Sequence, residues 1–481
     1  MLSNQPTSKQ NWLDRYFGIS AAGSSIKVEI IAGITTFLTM AYIIVVQPAV
    51  LSGQFTNQPT GMDFGSVMTA TCLSAAVATL IMALMARYPI ALAPGMGANF
   101  FFVITVIPGA LAAGFQNAWN VALGVILIAG VLFVLVSVSG LRQLLMDAIS
   151  PNLKHAIAVG IGLFIAFIGF QNAGLIEADP GTGVRLNSSF ASPDILVFFA
   201  GLILSSALIV HNRKGAILIG MLFATALTIG LDELIPYLPA SYVNSKVVQE
   251  SMLLQRFSMS SHILSWPPSV APTFLAVDWW SALSSSMVPF IIMFLFVDIF
   301  DTMGTLLAVG QAGGFLKNGQ LPRANRAFLA DAFGTVIGAL FGTSTVTAYI
   351  ESAAGVEQGG RTGLTAVVIA LCFLGALFLS PLIIMVGSYP PITAPALVIV
   401  GGMMLKNISA LELGDFSEFL PAFVVILGIP LSYSIADGIA LGFITYPITK
   451  LVSGRYKEAH WLKYILTVLM ILYFIFLRTK Y

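Results

Sequence analysis

The fold turns on residues 342–356, "GTSTVTAYIESAAGV". The stretch lies between long apolar runs, so it belongs at membrane depth. It opens extended, as Ser-Thr-Val-Thr-Ala-Tyr, with Thr, Val and Tyr among the residues enriched in strands. Only beyond Glu351 do its residues read as a helix. A second stretch behaves alike: "YPIALAPGMGANFFFVITVIP", residues 88–108, starts as Ile-Ala-Leu-Ala-Pro and then meets glycines. Both segments are short. They are the third and the tenth apolar segments, the same ordinal position in each half of the chain. Non-helical backbone at mid-membrane survives only where protein or an aqueous cavity surrounds it. Interrupted segments in matching positions of two inverted repeats point to a transporter's central site. Two half-helices starting there would aim free N–H groups and positive dipole ends at one point.

Composition agrees with a membrane setting. Of 481 residues, 57% are hydrophobic and 9% charged, whereas soluble domains carry about 25% charged residues. Apolar runs of roughly 20 residues each suffice to cross about 30 Å of hydrocarbon. The net charge of +1 provides no polyanion footprint, so no nucleic acid is expected as a partner. Cys72 and Cys372 fall in apolar segments and read as small core residues. His155, His211, His262 and His460 have no metal-ligand spacing. The N-terminus is polar through Ser25 and the first apolar segment is too long for a signal-peptide core, so no cleavable leader is expected.

The reading is an all-α polytopic membrane protein with fourteen transmembrane segments, seven plus seven. Segments are expected near 27–52, 64–86, 90–107, 118–139, 153–175, 193–210 and 214–235. After a polar loop, 236–279, others follow near 281–310, 325–342, 344–357, 361–387, 391–405, 419–432 and 434–452. Lys and Arg collect on cytoplasmic loops. With the N-terminus inside, Arg87, Arg142, Lys154, Arg213, Lys214, Lys317, Arg323, Arg326, Arg361, Lys406, Lys450, Arg455 and Lys457 all fall on that side. An odd number of segments per repeat makes the second half inverted. A surplus apolar stretch, 462–477, is followed by Arg478 and Lys480.

Within "FVDIFDTMGTLL", residues 296–307, Asp298 and Asp301 sit where a membrane helix would carry no charge. An Asp at a helix centre costs roughly 2.5–3.5 kcal/mol on insertion scales. Thr302 and Thr305 continue the face of Asp298 at i+4 and i+7. Asp298 is expected to be functional. Asp301 divides evenly between capping a neighbouring helix and binding. Glu351, at the start of the second half-helix, reads as a ligand contact, and Asn99 in "GMGAN" is its uncharged counterpart. Gly95 and Gly97 permit close backbone approach, to a ligand or to a packed neighbour. Burial penalises a charged carboxylate, so a proton on one acid would neutralise the pocket. The other acid would accept paired N–H groups from a flat heterocycle. Asp298 and Asp301 are therefore expected to line a polar pocket and to take part in proton-coupled recognition.

"IIAGITTFLTMAYII", "APGMGANFFF", "FVDIFDTMGTL", "LPRANRAFLADAFGT" and "GTSTVTAYIESAAGVEQGGRTGLTAVV" together resemble the nucleobase:cation symporters of the nucleobase/ascorbate transporter superfamily. The resemblance is to the branch of azaguanine, hypoxanthine, guanine and adenine permeases, and it covers nearly the whole chain. It implies a cytoplasmic N-terminal segment (1–26) and a core domain of 27–139 and 280–387. It implies a gate domain of 140–235 and 388–453, an external loop at 236–279, and a C-terminal segment, 454–481, holding the surplus helix. The core would slide against the gate, importing a purine nucleobase by proton symport across the inner (plasma) membrane, as a homodimer and without cofactor. Sodium stays open as the coupling ion. By resemblance Glu351 hydrogen-bonds the base, Asp298 serves binding and, with Glu351, proton coupling. Asp301 and Asn99 match positions important in the purine branch. The backbone at Ile350 contacts the base, Gly97 lies in the binding motif, and Thr302 stands where relatives carry a polar or histidine side chain. Ala98 departs from the pattern, where a bulkier apolar residue is usual, so adenine and oxopurine remain open alternatives.

Two rival readings differ from this one. An inorganic-anion exchanger of the same architecture would not place Glu351 at the mouth of a half-helix. An intramembrane hydrolase using Asp298 and Glu351 as acid and base has no need of pseudo-symmetry or two broken segments. The chain is read as a transporter and not an enzyme.

Overall fold

The computed structural model describes residues 12–55, 59–139, 150–316, 321–458, 461–472 and 474–475. Of the residues singled out above, Arg142, Lys317, His460, Arg478 and Lys480 lie outside that set, as do parts of 1–26 and of 462–477. The protein is predominantly helical. Among the described residues, nine helical runs are long and apolar enough to cross a membrane.

The first half contains α1 (Ile26–Met40), α2 (Ile43–Leu51), α3 (Phe64–Ile81), β1 (Leu92–Pro94), α4 (Met96–Phe101), α5 (Ala118–Ser139) and α6 (Pro151–Asn172). A short hairpin, β2 (Ile176–Asp179) with β3 (Gly183–Leu186), leads to α7 (Pro193–Val210) and α8 (Ala216–Leu234). The second half contains α9 (Val288–Ala312), α10 (Ala324–Phe341), β4 (Val346–Ala348), α11 (Ser352–Glu357), α12 (Gly363–Ala376) and α13 (Ser380–Ser388). It continues with α14 (Pro390–Met404), α15 (Phe416–Ser432), α16 (Ile435–Val452) and α17 (Trp461–Leu472). The all-α expectation thus needs a small correction: two short antiparallel ladders interrupt the helices. The eighth segment also begins later than expected, at Val288, because Pro289 takes the first turn, where its missing N–H costs nothing.

The helices pack in two groups. In one, α10 packs on α5 and α3, α12 on α1 and α3, α9 on α5, and α11 on α1. In the other, α6 packs on α14 and α15, α7 on α8 and α14, and α15 on α16, with α17 against α16.

Caps and buried polar groups fix the helix ends. Ser25, Asp63, Ser150, Ser192, Thr362, Asp415 and Ser434 each accept a backbone N–H of the helix that follows, satisfying donors the helix itself leaves free. Glu29 is fully buried in α1. Its carboxylate accepts from the backbone N–H groups of Arg361, Thr362 and Thr365 and from Thr365 Oγ1. That carboxylate therefore anchors the start of α12, a structural use of an intramembrane acid. At the end of α16, buried Lys450 meets Glu418 at 2.9 Å and Glu458 at 3.0 Å, while Arg455 meets Asp415 at 2.6 Å.

Candidate functional site

The two interrupted segments meet. β1 pairs antiparallel with β4 in the register Leu92↔Ala348, Ala93↔Thr347 and Pro94↔Val346. The ladder is extended by Gly95 N–H to Thr345 O at 2.9 Å and Tyr349 N–H to Ala91 O at 2.9 Å. Side chains complete it. Thr79 Oγ1 bonds both the N–H and the carbonyl of Leu92 at 2.9 Å. Ser352 Oγ accepts from Ala91 N–H at 3.0 Å, and Thr335 Oγ1 donates to Val346 O at 3.1 Å. Unpaired backbone polar groups in hydrocarbon cost several kcal/mol each, and this mutual pairing is what makes extended chain tolerable there. Helices α4 and α11 start on either side of the ladder. Helix α11 has only six residues, so its dipole is modest and its contribution lies mainly in presenting side chains.

Asp298 and Asp301 turn to different surroundings. Three residues along a helix leave two side chains about 60° apart. Asp298 is buried and its Oδ2 accepts from Thr335 Oγ1 of α10 at 2.6 Å. Asp301 is exposed to a cavity. Asp301 thus lines the cavity, whereas the helical rotation directs Asp298 at α10. Thr302 is buried. It donates to Asp331 Oδ2 at 2.5 Å and lies 3.1 Å from Thr347 Oγ1 of β4. Asn99 is also buried. Its Nδ2 donates to Gln47 Oε1 at 2.7 Å, and Gln47 Nε2 donates to Thr343 Oγ1 and Ser344 Oγ. This network ties α4 to the entry of β4 behind the cavity wall.

Glu351 is half-buried at the start of α11, and its Oε1 accepts from Tyr42 OH at 2.8 Å. Among the described residues, no ion pair involves Asp298, Asp301, Asp331 or Glu351. Buried carboxylates without a cation are costly unless neutralised or hydrogen-bonded. Here hydroxyls from Thr335, Thr302 and Tyr42 serve three of them.

The cavity, about 1030 Å³, lies between the two helix groups. Glu351, Ile350, Asp301, Thr305, Gly97 and Ala98 line it from one group. Ile161, Ile217, Met403, Ile439 and Phe443 line it from the other, joined by Met470 of α17. Gly97 packs closely on α6: a Cβ there would stand 3.0 Å from Ile161 Cγ2. Lys154, Arg213, Lys214 and Lys406 also line the cavity.

Of the expected site residues, Glu351, Ile350, Asp301 and Gly97 meet at this cavity, whereas Asp298, Asn99 and Thr302 form the polar layer behind it. The sequence reading missed Tyr42, Gln47 and Asp331. Asp331 lies within the quoted "LADAFGT" and carries the same signal as Asp298, an acid inside an apolar helix.

The chain's similarities fit this geometry. The Permease family profile matches residues 27–441. The guanine/hypoxanthine permease PbuG of Bacillus subtilis is 42% identical over 468 residues, covering 96% of this chain and 99% of its own. The adenine permease AdeP of Escherichia coli is 36% identical over 472 residues, covering 98% of each. Among solved structures, the transmembrane domain of a cyanobacterium bicarbonate transporter, BicA, superposes with a TM-score of 0.59 at 15% identity. The match covers 85% of this chain and 97% of that one, and at this identity it speaks to the fold alone. A chain matched along most of its length by the profile, with two broken segments meeting at a cavity between helix groups, is an integral membrane transporter and not an enzyme, and it belongs to the Permease family, the nucleobase/ascorbate transporters that its motifs resemble.

Proposed function

We propose that this chain imports purine nucleobases, guanine and hypoxanthine or adenine, by proton symport. The observation that carries the reading is Glu351: a carboxylate at a break in the membrane-spanning backbone, facing a cavity and bonded on one side by Tyr42. Such a group accepts N–H donors of a flat neutral base. The printed names of PbuG and AdeP support the substrate class. BicA carries bicarbonate on a similar frame, but Glu351 and Asp301 facing the cavity would repel an anion, which disfavours that reading here.

In this proposal the fourteen segments form two inverted repeats. Residues 27–139 and 280–387 are the core, and 140–235 and 388–453 the gate. The separate packing of the two helix groups supports the division. Glu351, Asp301, Gly97 and the Ile350 backbone contact the base, while Asn99 and Thr302 brace the half-helices. Asp298, in the layer behind the cavity, carries the coupling proton with Glu351. The membrane potential supplies about 2.3 kcal/mol per charge per 100 mV. The basic residues along the cavity mark its cytoplasmic mouth by the positive-inside rule, so the N-terminus is cytoplasmic and the cavity opens inward. The core would move as an elevator past a gate held in a homodimer, in the inner (plasma) membrane.

The test is uptake of tritiated hypoxanthine, guanine and adenine by cells lacking their own permeases, with and without a protonophore. Uptake of at least one purine, abolished by the protonophore, is expected. Absence of purine uptake under every condition refutes the proposal. Competition by unlabelled guanine, adenine, xanthine and uracil then ranks the substrates.

A further inference from the structure

The half-helix that begins beside Glu351 is gripped at its other end from across the cavity. Lys214 Nζ donates to the carbonyl oxygen of Ala354 at 3.0 Å and stands 3.6 Å from Glu357 Oε2. Carbonyls in the last turn of a helix have no partner within it, and a cation beside them meets the negative end of the backbone dipoles. The Glu357 side chain is 67% exposed, so the ion pair itself adds little. The charged hydrogen bond to Ala354 is the larger contributor.

These residues come from opposite sides of the cavity. Lys214 sits in the turn between α7 and α8. Ala354 and Glu357 belong to α11, which packs on α1. Gly215 adopts φ +70° and brings the turn to Leu38 of α1, where a Cβ would stand 3.4 Å from the Leu38 Cβ. The turn is thus built to approach the other helix group, and Lys214 is its bonded contact with α11.

We propose that Lys214 is a positioning residue for transport: it clamps the C-terminal end of the half-helix whose start carries Glu351, and it releases whenever the cavity changes sides. The inference rests on the transport reading above. If the two helix groups shift relative to each other, a bond across their seam exists in one state and not in the other. Such a bond biases the equilibrium by its full differential strength. A lysine on its flexible four-carbon stem, with three rotatable donors, suits a bond that is remade every cycle.

The experiment uses full-length protein in oriented membrane vesicles, carrying Cys372→Ser and a reporter, Ala308→Cys, on the cavity wall. Cys72 is buried. A membrane-impermeant maleimide is added to either side without purine, and the ratio of the two labelling rates is read. Lys214→Ala is expected to lower the ratio of cavity-side to opposite-side labelling by about threefold to tenfold. Lys214→Arg restores it to within about twofold, and Glu357→Gln moves it less than Lys214→Ala does. In uptake assays kcat shifts more than KM. Lys214→Met keeps the packing of the stem and gives the same reading if the alanine variant does not fold. A ratio within about twofold of the parent in both the alanine and methionine variants overturns the clamp. Because labelling needs no purine, failure of the clamp appears as an unchanged ratio beside intact uptake. Failure of the transport reading appears as absent uptake in the unmodified chain.

Discussion

The hydroxyl of Tyr42 donates to Oε1 of Glu351 across 2.8 Å, joining the turn between α1 and α2 to the start of α11. The bond orients the carboxylate at the cavity wall and satisfies one of its oxygens. Tyr42→Phe leaves that oxygen without its donor at little change in volume. Purine affinity should weaken about tenfold, on the order of 1.4 kcal/mol, by calorimetry on purified protein. Glu351→Gln should abolish high-affinity binding while expression stays normal, since one of two acceptors is lost. Unchanged affinity in both variants would remove Glu351 from the binding site.

Asp298 bonds Thr335, and Asp331 bonds Thr302, in the buried layer behind the cavity. Asp298→Asn keeps the shape and removes the titratable group. Uptake by this variant should no longer follow an imposed proton gradient, while exchange of internal for external purine persists. Uptake that still tracks the gradient would assign coupling to another carboxylate, with Asp331→Asn as the next variant to measure.

Gly355 is where α11 meets α1. A Cβ there would come within 2.2 Å of Thr36 Oγ1 and 2.6 Å of Ala32 O. Backbone lies on one side of that contact, so a rotamer change cannot relieve it. Gly355→Ala should destabilise the fold by about 1–3 kcal/mol, read as a lower Tm in detergent, and should reduce uptake. A Tm equal to the parent's would show that the two helices separate at little cost.

Asp415 caps α15. Hydrogen bonds from Ser417, and then from Arg455, hold its carboxyl down at about 2, against an ordinary 3.8. A depressed carboxyl stabilises the folded state above its unfolded value and loses that contribution as pH falls through the folded one. The relevant window therefore runs from about pH 4 down to about pH 2. Thermal unfolding measured across that window should show a shallower acid dependence for Asp415→Asn than for the parent. Parallel curves would exclude this carboxyl as a source of acid sensitivity.

Much of this was legible in residue order. Apolar length marked the long helices, and Pro94 after Ile-Ala-Leu-Ala, with the run Thr343–Thr347, rich in β-branched residues, marked the two breaks. Yet Pro48, Pro395 and Pro447 stand inside helices, so residue type alone does not decide a break. What residue order withheld was partnership. Nothing local says that Leu92 pairs with Ala348, or that Gln47 reaches both Asn99 and Ser344. For Asp298 and Asp301, spacing along a helix constrains the angle between side chains but not which neighbour each one meets. Nothing in the residues around Tyr42 or Glu29 signals the partner each one meets. Only tertiary contact separates an acid that caps α12 from one that faces the cavity.

The ladder between β1 and β4 also bears on how the chain is made. Tyr349, beside β4, bonds Pro94 of β1 from 255 residues downstream. At ordinary elongation rates of about 5–20 residues per second, the first strand waits roughly ten to fifty seconds for its partner to be synthesised. During that interval Thr79, already made, can serve Leu92, but the other N–H and C=O groups of the strand have no ladder to join. The pairing of β1 with β4 is therefore completed only after the second half of the chain has been made. Biogenesis, before any cargo is carried, is where a substitution in Leu92–Pro94 would first be felt.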